Sequence, residues 1–158
     1  MFYDIYGLSM GRDQSTVERF LRHFCYRDPI AEPLQDQWVQ VWPSEKYHIP
    51  ELIELPMTSI ADMIAYAVRH PNHGFVFYNQ FALRTNVKSA IVKFTYDGKV
   101  VFGISISDAY QVLAIEAEIK HVTQAYKSYI AVEYPPACDE EEFDADVLMW
   151  QDSREDYC

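Results

Sequence analysis

Residues 90–107 read AIVKFTYDGKVVFGISIS, and this stretch decides the fold class. Two runs rich in apolar and β-branched residues, a composition typical of strands, flank the dipeptide Asp97-Gly98. Because this dipeptide reaches positive φ easily, it is typical of a two-residue hairpin turn. We therefore predict two neighbouring antiparallel strands joined at Asp97-Gly98.

Amphipathic helices are predicted on both sides of this hairpin. Ser15–Glu18 has the S-x-x-E pattern of a capping box, and apolar residues follow it at helical spacing to about residue 27. Ser59–Asp62 gives a second capping signal before an apolar stripe that reaches about Arg69. A third and longer helix is expected from Ser107 or Asp108 to about Lys127, with Val112, Ile115, Ile119 and Val122 on the side that faces the sheet.

Short apolar runs predict the remaining strands, at residues 2–8, 37–42, 52–55, 75–78 and 129–133. Helices and hairpins thus interleave along the chain. This order predicts an α+β fold, with a largely antiparallel sheet of about five to six strands and two or three helices packed on it. We expect one such domain over residues 1–137, followed by an acidic segment, residues 138–158, docked on the same domain.

The acidic segment reads CDEEEFDADVLMWQDSREDYC. It holds nine acidic residues against one arginine, which is −8 of the net charge of −11 of the whole chain. Phe143, Val147 and Trp150 follow one another at i, i+4 and i+7, so a helix over these residues would carry one apolar stripe. A charge concentrated at one end of the chain gives the molecule a directed electric field that can guide a partner.

Composition narrows the functional classes. The sequence has no apolar run of the roughly 18 residues that a membrane span needs, and its N-terminus lacks the basic region of a secretory signal. Its three cysteines are scattered, which predicts a reducing cytoplasmic location. Negative charge disfavours direct binding to nucleic acid or to an anionic membrane, because phosphates would be repelled.

Motifs for catalysis or metal binding are sparse. His70 and His73 are weak metal candidates, but Pro71 and Gly74 place them in a turn, and the sequence has no HExxH motif to complete a zinc site. Cys25 is two residues from His23, a spacing that does not let them pair on a helix, so we expect a structural cysteine. No nucleotide-binding or serine-hydrolase motif occurs, and no cofactor is expected.

These observations favour a non-enzymatic module that binds a basic protein through an acidic surface containing aromatic residues. The predicted partner-binding residues are Glu140, Glu141, Glu142, Asp144, Asp146, Trp150, Tyr134 and Tyr157. Three alternatives stay open: a small enzyme centred on the histidine turn, a nucleic-acid mimic, and a soluble domain whose acidic tail only solubilises it. The sequence also leaves a homodimer open.

In size, acidity, aromatic content and lack of a catalytic motif, the chain is similar to the immunity proteins that neutralise bacterial toxins. The resemblance is one of profile and transfers no site residues. It implies a toxin as the basic partner, in particular a nuclease toxin whose active site is basic.

Overall fold

The structure is a computed structural model, and it describes residues 2–34, 38–41, 53–95 and 98–132. Seven strands and three helices occur in these ranges. In chain order they are β1 (Tyr3–Ser9), α1 (Gln14–Phe24), β2 (Trp38–Val41), β3 (Ile53–Pro56), α2 (Ile60–Arg69), β4 (Phe75–Asn79), β5 (Val87–Phe94), β6 (Val100–Ile106), α3 (Val112–Thr123) and β7 (Lys127–Val132). A short 3₁₀ turn, Ala109–Gln111, leads directly into α3. The acidic segment lies outside the described residues.

Five strands form one antiparallel sheet in the order β4-β5-β6-β1-β7, and β2 pairs with β3 in a separate hairpin. Since β6 and β7 are both antiparallel to β1, they run parallel to each other on either side of it. Helix α3 connects them and packs mainly on β1. The predicted α+β domain with a largely antiparallel sheet and three helices is confirmed.

The hairpin predicted from residues 90–107 is confirmed as the pair β5–β6. Its turn differs in length from the prediction, however. The last backbone hydrogen bond of the ladder runs from the Thr95 amide to the Lys99 carbonyl, at 3.1 Å, so three residues span the turn instead of two. Gly98 has φ +83° and supplies the left-handed conformation that such a three-residue loop requires.

The helices cover one face of the sheet, and the main hydrophobic core lies between them. Phe20 of α1 is fully buried, and its ring centroid lies 4.7 Å from that of Phe102 in β6. Ile115 and Ile119 of α3 belong to the same cluster. The side of α3 that the spacing predicted to face the sheet therefore does face it.

Helix starts were predicted with mixed success. At α2, the Ser59 hydroxyl accepts a hydrogen bond from the Asp62 amide at 3.2 Å, so the cap is confirmed. At α1, the capping box was wrong, because the helix begins at Gln14 with Asp13 in the cap position. The hydroxyls of Ser15 and Thr16 donate to the Asp13 carboxylate, both at 2.8 Å, so Ser15 belongs to the first turn.

Two helices end earlier than their apolar patterns predicted. Helix α1 ends at Phe24, because the next residue, Cys25, is already extended and pairs with Leu83. Helix α3 ends at Thr123, because Gln124 takes a left-handed conformation with φ +57°. The amide of Gln124 still donates to the Lys120 carbonyl at 2.9 Å, which closes the last turn. No helix in the described ranges is long and apolar enough to cross a membrane.

Candidate partner-binding surface

The partner-binding residues predicted from the sequence, residues 134–157 at their widest, lie outside the described residues. Their contribution stays a prediction. The described ranges offer a different surface with the properties of a protein contact, the outward side of α3 and of the 3₁₀ turn before it.

We call this surface the outer face of α3 and define it by Tyr110, Leu113, Ala114 and Ala117. The four residues follow the i, i+3, i+4, i+7 spacing of one helical side, and all four are exposed. Tyr110 is 93% exposed and Leu113 is 72% exposed. Because the opposite side of the helix is buried in the core, α3 is apolar on two sides. A helix of this kind is typical of an element that meets a second apolar surface.

A local hydrogen bond fixes the backbone at Tyr110, whose side chain lies in solvent. The Asp108 carboxylate accepts from the Tyr110 amide at 2.9 Å and begins the 3₁₀ turn. This turn carries the chain from the end of β6 to the start of α3, and it has no buried residue. The Tyr110 ring is therefore held at the edge of the molecule by its backbone and not by packing.

Acidic groups of α3 are held in place beside this face. Glu116 accepts a hydrogen bond from the Ser128 hydroxyl at 2.7 Å, which ties α3 to β7. Glu118 accepts two hydrogen bonds from the Arg84 guanidinium, at 2.9 and 3.4 Å. The groups are partly exposed, so these contacts orient the carboxylates more than they stabilise the fold.

The strand register places the end of β7 at the same end of the molecule as Tyr110. Val132, the last residue of β7, pairs with Tyr3 of β1, and Tyr3 pairs in turn with Ile106 of β6. The chain leaves β7 about 10 Å from Ile106, two strand spacings away. Only three residues separate Ile106 from Tyr110. The end of β7 and the start of α3 thus lie at the same end of the sheet.

His70 and His73, the weak metal candidates, do come together at the end of α2. Their rings stack with centroids 4.8 Å apart, and the Tyr66 hydroxyl lies 2.6 Å from Nδ1 of His73. Arg12 donates to the carbonyl of His70 at 2.8 Å and lies over the Phe94 ring. In the part of the chain that the structure describes, no group of three or more potential ligands forms around them. The cluster ties the β1–α1 connection to α2.

Acid should weaken this cluster. Burial, followed by the nearby charges of His70 and Arg12, lowers the pKa of His73 below its ordinary value of 6.5. The unfolded chain therefore binds the proton more readily, so the contribution of His73 to stability is present above pH 6.5 and is lost as the pH falls below it. We expect the free energy of unfolding, measured with urea, to be lower at pH 5.5 than at pH 7.5. His73→Gln should reduce the difference; an equal pH dependence in that variant would contradict this assignment.

A second exposed aromatic group lies on the loops at the far end of α1. Arg27 packs over the rings of Tyr26 and Phe81, with its guanidinium carbon 5.6 and 4.6 Å from their centroids. The Tyr26 amide donates to the carbonyl of Ala82 at 2.8 Å, and Ala82 itself has a positive φ of 54°. Cys25 is buried nearby, as expected, and burial raises the pKa of its thiol to about 11. This surface carries arginine, which makes it unsuited to a basic partner.

The outer face of α3 can also be recognised in the sequence, although the spacing argument above identified only the side of the helix that faces the sheet. Tyr110, Leu113, Ala114 and Ala117 form a second apolar set at helical spacing, shifted by one or two positions from the inward set. Both sets are visible in the sequence, but only packing shows which of them the sheet covers. No protein-family model, no curated protein and no solved structure matches the chain.

Proposed function

We propose that this protein is a non-enzymatic binding module for a basic protein, with the outer face of α3 as the contact surface and the acidic segment as the electrostatic guide. The observation that carries the proposal is the exposure of Tyr110 and Leu113 on a helix whose other side is fully packed.

The apolar part of the surface supplies affinity. Burying a large apolar side chain contributes about 1.5–3 kcal/mol, and a tyrosine surrounded by small residues is typical of an energetic anchor in an interface. Ala114 and Ala117 are small, so a partner side chain can approach the helix backbone between Leu113 and the next turn. The surface therefore suits a partner that inserts an apolar side chain beside Tyr110.

Charge selects the partner. The chain has a net charge of −11, and residues 138–158 hold −8 of it. Glu116 and Glu118 add oriented carboxylates on α3 itself. Such a field accelerates association with a basic surface and repels acidic ones. A nuclease toxin with a basic active site fits this description, in line with the profile that the chain shares with immunity proteins.

Binding measurements test the proposal in two steps. The tagged protein is incubated with extract of its native host at low salt, and the proteins released at about 0.5 M salt are identified and purified. The Kd of each is then measured with variants. We expect Tyr110→Ala and Leu113→Ala each to raise Kd by about tenfold or more, because truncating an interface anchor costs upwards of about 1–2 kcal/mol.

A matched control separates this face from exposed aromatic residues in general. Tyr26→Ala removes a tyrosine that is 69% exposed on the loop after α1, and it should leave Kd unchanged. Reversing the charge of Glu140, Glu141 and Asp144 to lysine should slow association and flatten its salt dependence. Failure to retain any basic protein, or an unchanged Kd for Tyr110→Ala and Leu113→Ala, would rule the proposal out.

A further inference from the structure

The outer face of α3 is complementary in shape to a second copy of itself. Along the chain, two large residues, Tyr110 and Leu113, are followed by two small ones, Ala114 and Ala117. Tyr110 and Leu113 are the two most exposed large hydrophobic residues of the described ranges. A surface that is large at one end and small at the other fits a copy of itself turned by 180°, because a two-fold axis brings each large residue opposite a small one.

Two antiparallel α3 helices related by a two-fold axis between Leu113 and Ala114 give this fit. Tyr110 and Ala117 lie about equally far from such an axis, roughly 5 Å along the helix on opposite sides of it. Tyr110 therefore lies against Ala117 of the second copy, and Leu113 lies against Ala114 of the second copy. Alanine lets the facing helix come close, so each large side chain can pack on the helix surface.

The charges at the two ends of α3 are also complementary in this arrangement. The turn before the helix begins at Asp108, and the last turn of the helix carries Lys120 and His121. Lys120 is exposed and makes no salt bridge with any described residue. Antiparallel packing places the basic end of each helix beside the acidic start of the other, an arrangement that the helix dipoles also favour. Glu118, on the flank of the helix, is already paired with Arg84.

We propose that the outer face of α3 forms a two-fold interface with a second copy of this chain. The apolar contacts hold the dimer together, and the net charge of −11 on each copy opposes it. The contact surface is small, so we expect a weak dimer with a Kd of about 10–100 µM. The basic protein proposed above would then bind only the monomer, a consequence that rests on the proposed function, whereas the dimer itself does not.

Sedimentation equilibrium of the purified full chain, from about 5 to about 500 µM, measures the dimer directly. We expect the mass to rise from that of a monomer to that of a dimer over this range. Raising the salt concentration from about 0.05 to about 0.5 M should lower the dimer Kd severalfold, because screening weakens the repulsion between two acidic copies. Binding of a basic protein should respond to salt in the opposite direction.

Exchanging the large and small residues tests the register of the two helices. Tyr110→Ala should raise the dimer Kd about tenfold or more, because the lost contact occurs twice in the dimer. Ala117→Tyr should also raise it, because two tyrosines would then meet. The double variant restores a large residue opposite a small one, so its Kd should return to within about threefold of the unmodified chain. Tyr26→Ala is the matched control and should leave the dimer unchanged.

Three results would overturn the proposal: a monomer at every concentration, a dimer whose Kd is unchanged by Tyr110→Ala, or a double variant as weak as the single variants. Circular dichroism of each variant checks that the fold is intact, which we expect because both positions are exposed. The measurement uses this protein alone, so a failure of the dimer is distinct from a failure of the proposed binding function.

Discussion

Phe20→Ala should lower the free energy of unfolding by about 3–5 kcal/mol, the largest effect that we expect from a single substitution. The Phe20 side chain is fully buried where α1 meets the sheet. It contacts Phe102 of β6 across the core and Phe24 one turn further along the helix, with ring centroids 4.7 and 5.3 Å away. Truncation removes both aromatic contacts and leaves a cavity that the packed strands cannot close.

Urea denaturation followed by circular dichroism measures this loss. A domain of this size is stable by only about 5–15 kcal/mol, so Phe20→Leu should be studied in parallel as a milder variant that keeps most of the volume. Leu113→Ala is the matched control, because it truncates an exposed apolar residue of a helix and should change stability by about 0.5 kcal/mol or less. Similar losses for Phe20→Ala and Leu113→Ala would contradict the packing described for α1.

Gly7→Ala should destabilise the protein by about 1–3 kcal/mol, although it adds only one methyl group. A Cβ at this position of β1 would lie 2.7 Å from Cγ2 of Ile119 and 3.0 Å from Cβ of Ala125. Both neighbours belong to α3 or to the loop that follows it, so the helix would have to move away from the sheet. Gly7 thus sets how closely α3, which carries the proposed contact surface, approaches β1.

Gly103→Ala gives the comparison for Gly7→Ala on the other side of the sheet. A Cβ here would lie 2.8 Å from the ring of Tyr6 and 3.2 Å from Cβ of Ile91, and the half-buried Tyr6 ring is the side chain that would have to shift. We expect a loss of about 1 kcal/mol or less, again from urea denaturation. If Gly103→Ala costs more than Gly7→Ala, the close approach of α3 to β1 is not what constrains residue 7.

The fold class and most of the secondary structure follow from patterns within the sequence. Local patterns were sufficient where one interaction dominates: Asp97-Gly98 between two apolar runs for the β5–β6 hairpin, and Ser59 with Asp62 for the start of α2. The predicted helix boundaries were wrong where neighbouring residues compete for the same role. Asp13 and Ser15 can both cap α1, and the apolar pattern of α3 continues past the left-handed residue Gln124 that ends it.

Which apolar residues are covered depends on long-range packing, which local sequence patterns do not show. Helix α3 has two apolar sides in its sequence, and the close approach to Gly7 selects the side with Ile119 for the core, which leaves Tyr110 and Leu113 in solvent. Likewise, a row of paired residues from Lys93 through Val101 and Leu8 to Lys127 exists only through pairing between strands that are distant in the chain. Periodicity shows which residues share one side of a helix or strand. Whether that side is buried depends on what packs against it, and this packing is made by residues that are distant in the chain.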